Sequence, residues 1–217
     1  MQAATLEQKI GQLFLIGFAG DTLKPDHPII GDIAERNLGG VILFDRLLAN
    51  GQQANNIVSN AQLKTLTEEL QAHAQQTPLL IAVDQEGGKV SRFSEERGFP
   101  VTPAASELGR EPTLQLTTSS AEQTARMLMD VGVNLNLAPV VDLNIYNQNP
   151  IIARYDRSFS THVGEVIAHA AAWIKGHRSY GLLTCLKHFP GHGSSRSDSH
   201  LGFVDISETW QEVELQP

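Results

Sequence analysis

Between Lys187 and His200 the sequence concentrates residues that can move protons or bind polar groups. The segment reads Lys-His-Phe-Pro-Gly-His-Gly-Ser-Ser-Arg-Ser-Asp-Ser-His. So many titratable side chains on a loop rich in glycine and serine are hard to explain by core packing, because loops carry function more often than packing. We therefore predict that this segment carries the chemistry of the protein and that the remaining chain positions it.

Asp198 and His200 are the candidates for proton transfer. A carboxylate two residues before an imidazole can turn to the same side of a looped backbone and form a hydrogen bond with it. The carboxylate would then fix the tautomer of the histidine and raise its basicity, so that the ring could exchange a proton near neutral pH. The alternative is a solvent-exposed histidine beside an aspartate that only caps a turn, and the pair alone does not decide between the two.

A metal site is a rival interpretation of the same segment. Four of its side chains are of types that bind metal ions: His188, His192, Asp198 and His200. Against this interpretation, the chain has no helical His-Glu-x-x-His motif, and the charges of Lys187 and Arg196 would repel a cation. We therefore predict no metal ligand and no cofactor, and keep a metal-dependent hydrolase as an alternative.

The elements that must position this segment follow the pattern of a parallel α/β protein. Short apolar runs predict five strands, at residues 12–18, 41–44, 79–83, 133–141 and 181–186. Helical periodicity lies between them, at 32–37, 52–76, 114–131 and 163–174. Strands as uniformly apolar as these suit a sheet that is buried on both faces. Polar residues follow the strands, at the ends where a (β/α)8 barrel has its active site.

A barrel is favoured over a doubly wound sheet, because no Gly-x-Gly-x-x-Gly follows the first strand. A closed barrel needs eight strand–helix units, whereas the 217 residues offer about five, plus the start of one further helix between Asp205 and Leu215. We therefore expect residues 1–217 to be the N-terminal portion of a single TIM-type barrel domain. A second polypeptide or fragment, or a symmetry mate, would complete it.

The composition, 41% hydrophobic and 18% charged, is that of an ordinary globular protein. A net charge of −8 without a basic patch argues against a nucleic-acid partner, and no run approaches the roughly 20 apolar residues of a membrane helix. The single cysteine, Cys185, is predicted to be a buried core residue. Because no basic leader precedes the apolar residues 10–19, we expect a cytoplasmic protein, or a secreted or periplasmic one if a signal peptide has been removed.

Polar groups after the earlier strands are candidates for binding a ligand. Asp84 follows the third strand and would face the pocket of a barrel. Arg92, Arg157 and Lys187 could bind hydroxyl groups, an acetamido carbonyl or an acidic group, and each could equally be a surface charge. Glu86 is a weaker candidate that could simply hold the turn.

Four motifs follow one another along nearly the whole chain. They are Asp84-Gln-Glu-Gly-Gly-Lys-Val-Ser-Arg92, Leu137-Ala-Pro-Val-Val-Asp142, Arg157-Ser-Phe159, and Lys187-His-Phe-Pro-Gly-His-Gly193 with Asp198-Ser-His200. Together they resemble glycoside hydrolase family 3, and more narrowly its bacterial β-N-acetylhexosaminidases (β-N-acetylglucosaminidases) of cell-wall recycling. The Asp-Ser-His triplet is the most specific motif, because it marks the N-acetylglucosaminidase branch rather than the β-glucosidases.

This resemblance implies a (β/α)8 barrel that removes terminal, non-reducing β-linked N-acetylglucosamine with retention, from cell-wall fragments or chitin oligosaccharides. It implies that His200 is the general acid/base and that Asp198 orients it. The residues implied to bind the sugar to be cleaved, in the −1 subsite, are Asp84, Arg92, Arg157, Lys187 and His188. The family's nucleophile is an aspartate in a Ser-Asp-Asp-like motif after a later strand, which this sequence lacks, so we expect the 217 residues alone to be inactive. A non-catalytic sugar-binding remnant is the other alternative.

Overall fold

A computed structural model describes residues 5–47 and 54–217 of the chain, which divides into two compact units. Of the described residues, the first unit comprises those up to residue 83 together with 92–100 and 127–135, and the second comprises residues 84–91, 101–126 and 136–217. Every predicted site residue except Arg92 belongs to the second unit.

Helices and strands alternate along the described residues, and the five strands match the predicted number. The strands are β1 (Leu15–Gly17), β2 (Gly40–Ile42), β3 (Leu80–Val83), β4 (Leu135–Asn136) and β5 (Leu183–Thr184). The α-helices are α1 (Leu6–Gly11), α2 (Pro28–Ala34), α3 (Asn60–His73), α4 (Ala105–Gly109), α5 (Gln115–Asp130) and α6 (Val163–Ser179). Short 3₁₀ helices cover Glu95–Arg97, Ala153–Tyr155 and Glu212–Leu215. None of the helices within 5–47 and 54–217 is long and apolar enough to cross a membrane.

The first unit contains a parallel sheet in which β2 lies between β1 and β3, with Val41 opposite both Ile16 and Ile81. Val41 and Ile81 are completely buried, which agrees with the apolar character of their strands. The helix predicted at 52–76 begins only after Ser59, whose hydroxyl accepts a hydrogen bond from the Gln62 backbone in a capping box. Residues 52 and 53 of that prediction lie outside the described residues.

The second unit repeats the parallel arrangement. The Cys185 backbone donates a hydrogen bond to the Asn136 carbonyl, and Val140 lies opposite Lys187 in a parallel bridge. α6 contributes the buried ring of Trp173 to a core cluster with Ala105, Leu108, Ala121, Leu143, Phe159 and Val166. The prediction of parallel strands that alternate with helices is therefore confirmed within each unit.

The fifth strand is shorter and more exposed than its apolar sequence predicts. Leu182 is buried, but Leu183 and Leu186 are 54% and 51% exposed, and Cys185 is an exposed free cysteine. The predicted core position of Cys185 is therefore wrong. The physical reason is that β5 pairs along one edge, and no other strand of the described part of this unit covers its opposite edge.

The helix predicted between Asp205 and Leu215 is also wrong. Only Glu212–Leu215 is helical, as one 3₁₀ turn. The Asp205 carboxylate accepts a hydrogen bond from the Ser207 backbone at 2.9 Å. Such a local turn competes with the first turn of a helix for the backbone N–H groups, and here the local turn forms instead of the helix.

α6 also carries a buried, neutral histidine, His177. Its Nδ1 lies 3.0 Å from the Trp173 carbonyl oxygen and its Nε2 lies 3.1 Å from the side-chain nitrogen of Asn136. A carbonyl only accepts and an amide nitrogen only donates, so the proton sits on Nδ1 and Nε2 accepts. Burial lowers the pKa of His177 to about 4 from its ordinary 6.5.

This histidine should make stability depend on pH. At pH values between its folded and unfolded pKa, the unfolded chain binds a proton that the folded protein excludes, so acid favours unfolding. We expect the free energy of unfolding to fall by about 3 kcal/mol between pH 7 and pH 4 through this residue alone. Urea denaturation across that range measures the slope. His177→Gln should flatten it, whereas the exposed control His162→Gln should not; equal slopes in the two variants would contradict the assignment.

Candidate active site

The parallel pairing in the second unit brings two predicted motifs together where their segments end. The Val141 backbone donates a hydrogen bond to the Lys187 carbonyl, so Asp142 and His188 follow side by side. The buried Asp142 carboxylate lies 2.6 Å from Nδ1 of His188 and accepts a hydrogen bond from the His192 backbone at 2.7 Å. Asp142 therefore fixes both ends of the turn that carries the two histidines.

Glu86, the weakest of the sequence candidates, lies at the centre of the charged groups. Nζ of Lys187 is 2.6 Å from Glu86 and 2.7 Å from Asp84. The Arg157 guanidinium donates two hydrogen bonds to the same Glu86 carboxylate, from Nε at 2.7 Å and from Nη2 at 2.8 Å. We name these residues, together with His188 and Asp142, the charged cluster.

Both members of the Glu86–Arg157 pair stay ionised. Burial alone raises the pKa of Glu86, but the hydrogen bond from Arg157 and the positive charge of Lys187 outweigh it, and the pKa lies below its ordinary value. Burial alone lowers the pKa of Arg157, but the hydrogen bond and charge of Glu86 outweigh it, and that pKa is raised. The Glu86–Arg157 pair therefore places two full charges at the centre of the cluster.

The protonation of His188 follows from its neighbours. Nη2 of Arg157 lies 3.1 Å from Nε2 of His188, and a guanidinium nitrogen can only donate. Nε2 must therefore accept, which leaves the proton on Nδ1, where it is donated to Asp142. The ring is neutral and held from both sides.

The charged cluster as a whole is slightly negative. It holds the carboxylates of Asp84, Glu86 and Asp142 against the cations of Lys187 and Arg157, a formal charge of −1. The side chains of Lys187 and Asp84 are 15% and 21% exposed, whereas those of Arg157 and Glu86 are 8% and 5% exposed. Lys187, Asp84 and His188, whose side chain is 32% exposed, are thus the members able to reach a ligand, and Arg157 and Glu86 lie behind them.

Asp198 and His200 form the hydrogen bond that their spacing predicts, with 2.7 Å between the carboxylate and Nδ1. The His200 backbone also donates to Asp198 at 2.9 Å. The hydrogen bond from the His200 backbone is the largest cause that lowers the pKa of Asp198, and the hydrogen bond from the His200 imidazole lowers it further. Because the carboxylate accepts from Nδ1, Nε2 is the nitrogen left to exchange a proton, on a side chain that is 72% exposed.

A short chain of contacts connects this Asp–His pair to the charged cluster. Ser199, between the two residues, places its hydroxyl 3.3 Å from Nε2 of His192, whose backbone is bound by Asp142. No hydrogen bond within the described ranges joins His200 directly to a member of the cluster. The proton-transfer role of His200 stays a prediction.

Arg92 lies in the first unit, where it faces a carboxylate and an aromatic ring. Its Nη1 is 3.7 Å from Asp45, and its guanidinium lies 5.7 Å from the centroid of the Phe44 ring. Arg97 approaches the same carboxylate at 3.5 Å. The predicted role of Arg92 in sugar binding stays a prediction.

The structure gives the metal interpretation no support. Within residues 5–47 and 54–217, no group of three or more histidine, cysteine, aspartate or glutamate side chains is placed to hold a metal ion. Both ring nitrogens of His188 are already engaged, by Asp142 and Arg157. A histidine in that state offers no lone pair to a cation.

Asn149 is a site residue that sequence reasoning missed. Its buried side-chain nitrogen donates to the carbonyls of His192 at 2.7 Å and Ser195 at 3.0 Å. Its side-chain oxygen accepts from the backbones of Ile151 and Ile152 at 2.9 and 2.6 Å. Asn149 thus ties the histidine loop to the irregular stretch before Arg157. An asparagine in such a stretch carries no sequence signal that would reveal this role.

Cavity size alone does not locate the site. A cavity of about 550 Å³ in the first unit is lined mainly by apolar residues, including Ile10, Phe14 and Leu38, and by none of the predicted site residues. A cavity of about 160 Å³ in the second unit is lined by Asp142, His188 and their neighbours. The charges and hydrogen bonds therefore define the candidate site.

Comparison with known proteins gives consistent matches. The family model described as Glycosyl hydrolase family 3 N terminal domain matches residues 5–217. A Xylella fastidiosa (strain M23) protein named Beta-hexosaminidase is 37% identical over 214 residues, 94% of this chain and 58% of that protein. A family 3 β-N-acetylglucosaminidase from Paenibacillus sp. str. FPU-7 has a TM-score of 0.81 at 35% identity, over 91% of this chain and 35% of that one. NagZ from Neisseria gonorrhoeae, in complex with N-trifluoroacetyl-D-glucosamine, has a TM-score of 0.75 at 32% identity, over 88% of this chain and 53% of NagZ.

These matches confirm the predicted fold class and the resemblance on which it partly depended. Structural agreement at TM-scores of 0.75 and 0.81 extends over most of the chain, so the strand–helix units follow the barrel-type fold of these proteins. The chain spans only 58% of the Xylella protein's length. The residues of the charged cluster and the Asp198–His200 pair all fall within the matched range 5–217.

Proposed function

Because this chain belongs to glycosyl hydrolase family 3, we propose that it is the sugar-binding part of a β-N-acetylhexosaminidase that releases terminal, non-reducing β-linked N-acetylglucosamine. The observation that carries the proposal is the charged cluster, in which Lys187 is held between Asp84 and Glu86 beside a fixed His188. The names of the relatives and the glucosamine derivative in the NagZ complex support this ligand class.

The cluster has the groups that sugar hydroxyls need. The Asp84 carboxylate accepts hydrogen bonds from hydroxyl groups, and the Lys187 ammonium donates to their oxygens. Arg157 and Glu86 act from behind by orienting Lys187 and His188. The formal charge of −1 also favours a sugar ring that becomes positive, as the ring does in the oxocarbenium-like transition state of glycoside cleavage.

His200 is the proposed general acid and base. Protonated at Nε2, it gives its proton to the glycosidic oxygen while a carboxylate nucleophile bonds to the anomeric carbon and the aglycone leaves. The neutral ring then takes a proton from the water that attacks that carbon, which releases the sugar and restores the carboxylate. Asp198 holds the ring in the tautomer that this exchange requires.

The nucleophile is assigned to a segment outside these 217 residues, because the sequence contains no Ser-Asp-Asp motif. The test is release of nitrophenol from p-nitrophenyl β-N-acetylglucosaminide, measured on the full-length enzyme and on the 217-residue chain alone. We expect turnover only in the full-length enzyme. Sugar binding without turnover in the full-length enzyme would indicate a non-catalytic sugar-binding protein, and activity lost to a chelator would favour a metal-dependent hydrolase.

Asp84→Ala should weaken sugar binding. A hydrogen bond between a carboxylate and a ligand is worth about 1.5–3 kcal/mol, so KM for the nitrophenyl substrate should rise about ten- to hundredfold. Steady-state kinetics on the full-length enzyme measures the change. The exposed Asp205→Asn serves as the control and should leave KM unaltered. An unchanged KM in Asp84→Ala would remove Asp84 from the sugar site.

A further inference from the structure

The loop that carries His188 and His192 is tied down on two sides by residues already described. Asp142 accepts a hydrogen bond from the His192 backbone, and Asn149 donates to the carbonyls of His192 and Ser195. Neither of them engages the Pro190 carbonyl or the Ser194 backbone N–H. Ser194 is buried and Pro190 is half-buried, so these backbone groups also need partners, and a third set of contacts is expected.

The segment after Ile206 supplies these contacts. The indole nitrogen of Trp210 donates to the Pro190 carbonyl at 3.0 Å. The Glu214 carboxylate accepts from the Ser194 backbone at 3.2 Å and from the Gln211 backbone at 3.0 Å. Glu214 belongs to the turn Glu212–Leu215 and is only 5% exposed, which is unusual for a glutamate.

Gly191 shows how closely this segment fits against the loop. Its φ of +127° lies in the region that favours glycine, and a Cβ at this position would lie 2.6 Å from Cβ of Glu214. The Gly191 backbone in turn donates to the His188 carbonyl at 2.7 Å. Gly191 therefore contacts Glu214 on one side and is hydrogen-bonded to His188 on the other.

We propose that Trp210 and Glu214 are positioning residues for the sugar site, acting through the loop between His188 and Ser195. The inference rests on the proposed function, since it assigns them an effect on sugar binding and turnover. Asp142 and Asn149 bind the backbone of His192 and Ser195, whereas Trp210 and Glu214 bind that of Pro190 and Ser194. Without the contacts of Trp210 and Glu214 the loop can rotate about Asp142, and the His188 ring loses its alignment with Arg157.

The experiment compares Glu214→Ala, Glu214→Gln and Trp210→Phe with the exposed control Glu212→Gln in the full-length enzyme. Misplacement by about 1 Å can cost about a hundredfold in rate, so kcat/KM for the nitrophenyl substrate should fall about ten- to hundredfold in Glu214→Ala. The fall should be smaller in Glu214→Gln, whose amide oxygen still accepts from one of the two N–H groups. Trp210→Phe keeps an aromatic side chain but loses the hydrogen bond to the Pro190 carbonyl, for which we expect about a fivefold fall.

A second measurement separates positioning from stability alone. The ¹⁵N signals of the His188 imidazole report its tautomer and partners, and should shift in Trp210→Phe and Glu214→Ala but not in Glu212→Gln. A lower Tm with unchanged kcat, KM and ¹⁵N signals would overturn the inference while leaving the proposed function intact. A wild-type enzyme that does not cleave the substrate would instead reject the proposed function.

Discussion

Replacement of His200 by alanine in the full-length enzyme is expected to lower kcat/KM about 10²–10⁴-fold for a substrate with a sugar as its leaving group, because a positioned general acid contributes that much. The fall in kcat/KM should be far smaller for a nitrophenyl glycoside, whose leaving group departs without protonation; kcat is not compared, because it also contains the later hydrolysis step in which His200 acts as the base. The contrast between the two substrates identifies the proton donor, and kinetics on chitobiose and on the nitrophenyl substrate measures it.

The control for this comparison is His162→Ala, which alters another exposed histidine of the second unit. It should leave both rates unchanged. Asp198→Asn should resemble His200→Ala in direction, since the amide no longer stabilises the protonated ring. An equal loss of kcat/KM for both substrates in His200→Ala would mean that His200 supports the fold or binds sugar, but does not donate the proton.

Glu86→Ala is expected to reduce the free energy of unfolding by about 3–5 kcal/mol, because it leaves the buried Arg157 without its carboxylate and Lys187 with only Asp84. A guanidinium does not lose its proton in a protein, so the uncompensated charge remains on the buried group. Urea denaturation at neutral pH measures the change.

Glu111→Gln, at an exposed position of the same unit, is the matched control and should change stability by less than about 0.5 kcal/mol. A loss in Glu86→Ala no larger than that of the control would show that Arg157 finds other partners. In that case the charged cluster would not depend on Glu86, and the placement of Lys187 would need another explanation.

Much of the fold could be predicted from the sequence because the apolar runs are short and the strands are parallel. The run before Asp84 forms β3, and the run before Asp142 contains β4. The carboxyl ends of parallel strands share one edge, so pairing of the segments before Asp142 and His188 follows from the alternation of strands and helices. The spacing of Asp198 and His200 was sufficient to predict their hydrogen bond.

Predictions failed where the result depends on what covers a residue in three dimensions. Cys185 and Leu186 look like core residues, but both are exposed, and among the strands of the described residues none covers the second edge of β5. Glu86 looks like a turn residue, because the sequence does not show that Arg157 folds back over it. Asn149 and Glu214 act on backbone groups of a distant loop, and such contacts have no characteristic spacing.

Along the charged cluster, donors and acceptors alternate without interruption, from Asp84 through Lys187, Glu86, Arg157 and His188 to Asp142. Flipping the His188 ring would set a donor against Arg157 and an acceptor against Asp142, and turning any other member would break its ion pair, so the side chains are fixed in place before a ligand arrives. A sugar that enters the site would replace water on a surface that has almost nothing left to rearrange. The site is thus ordered when the chain folds, and little binding free energy is lost in ordering its side chains when the sugar binds.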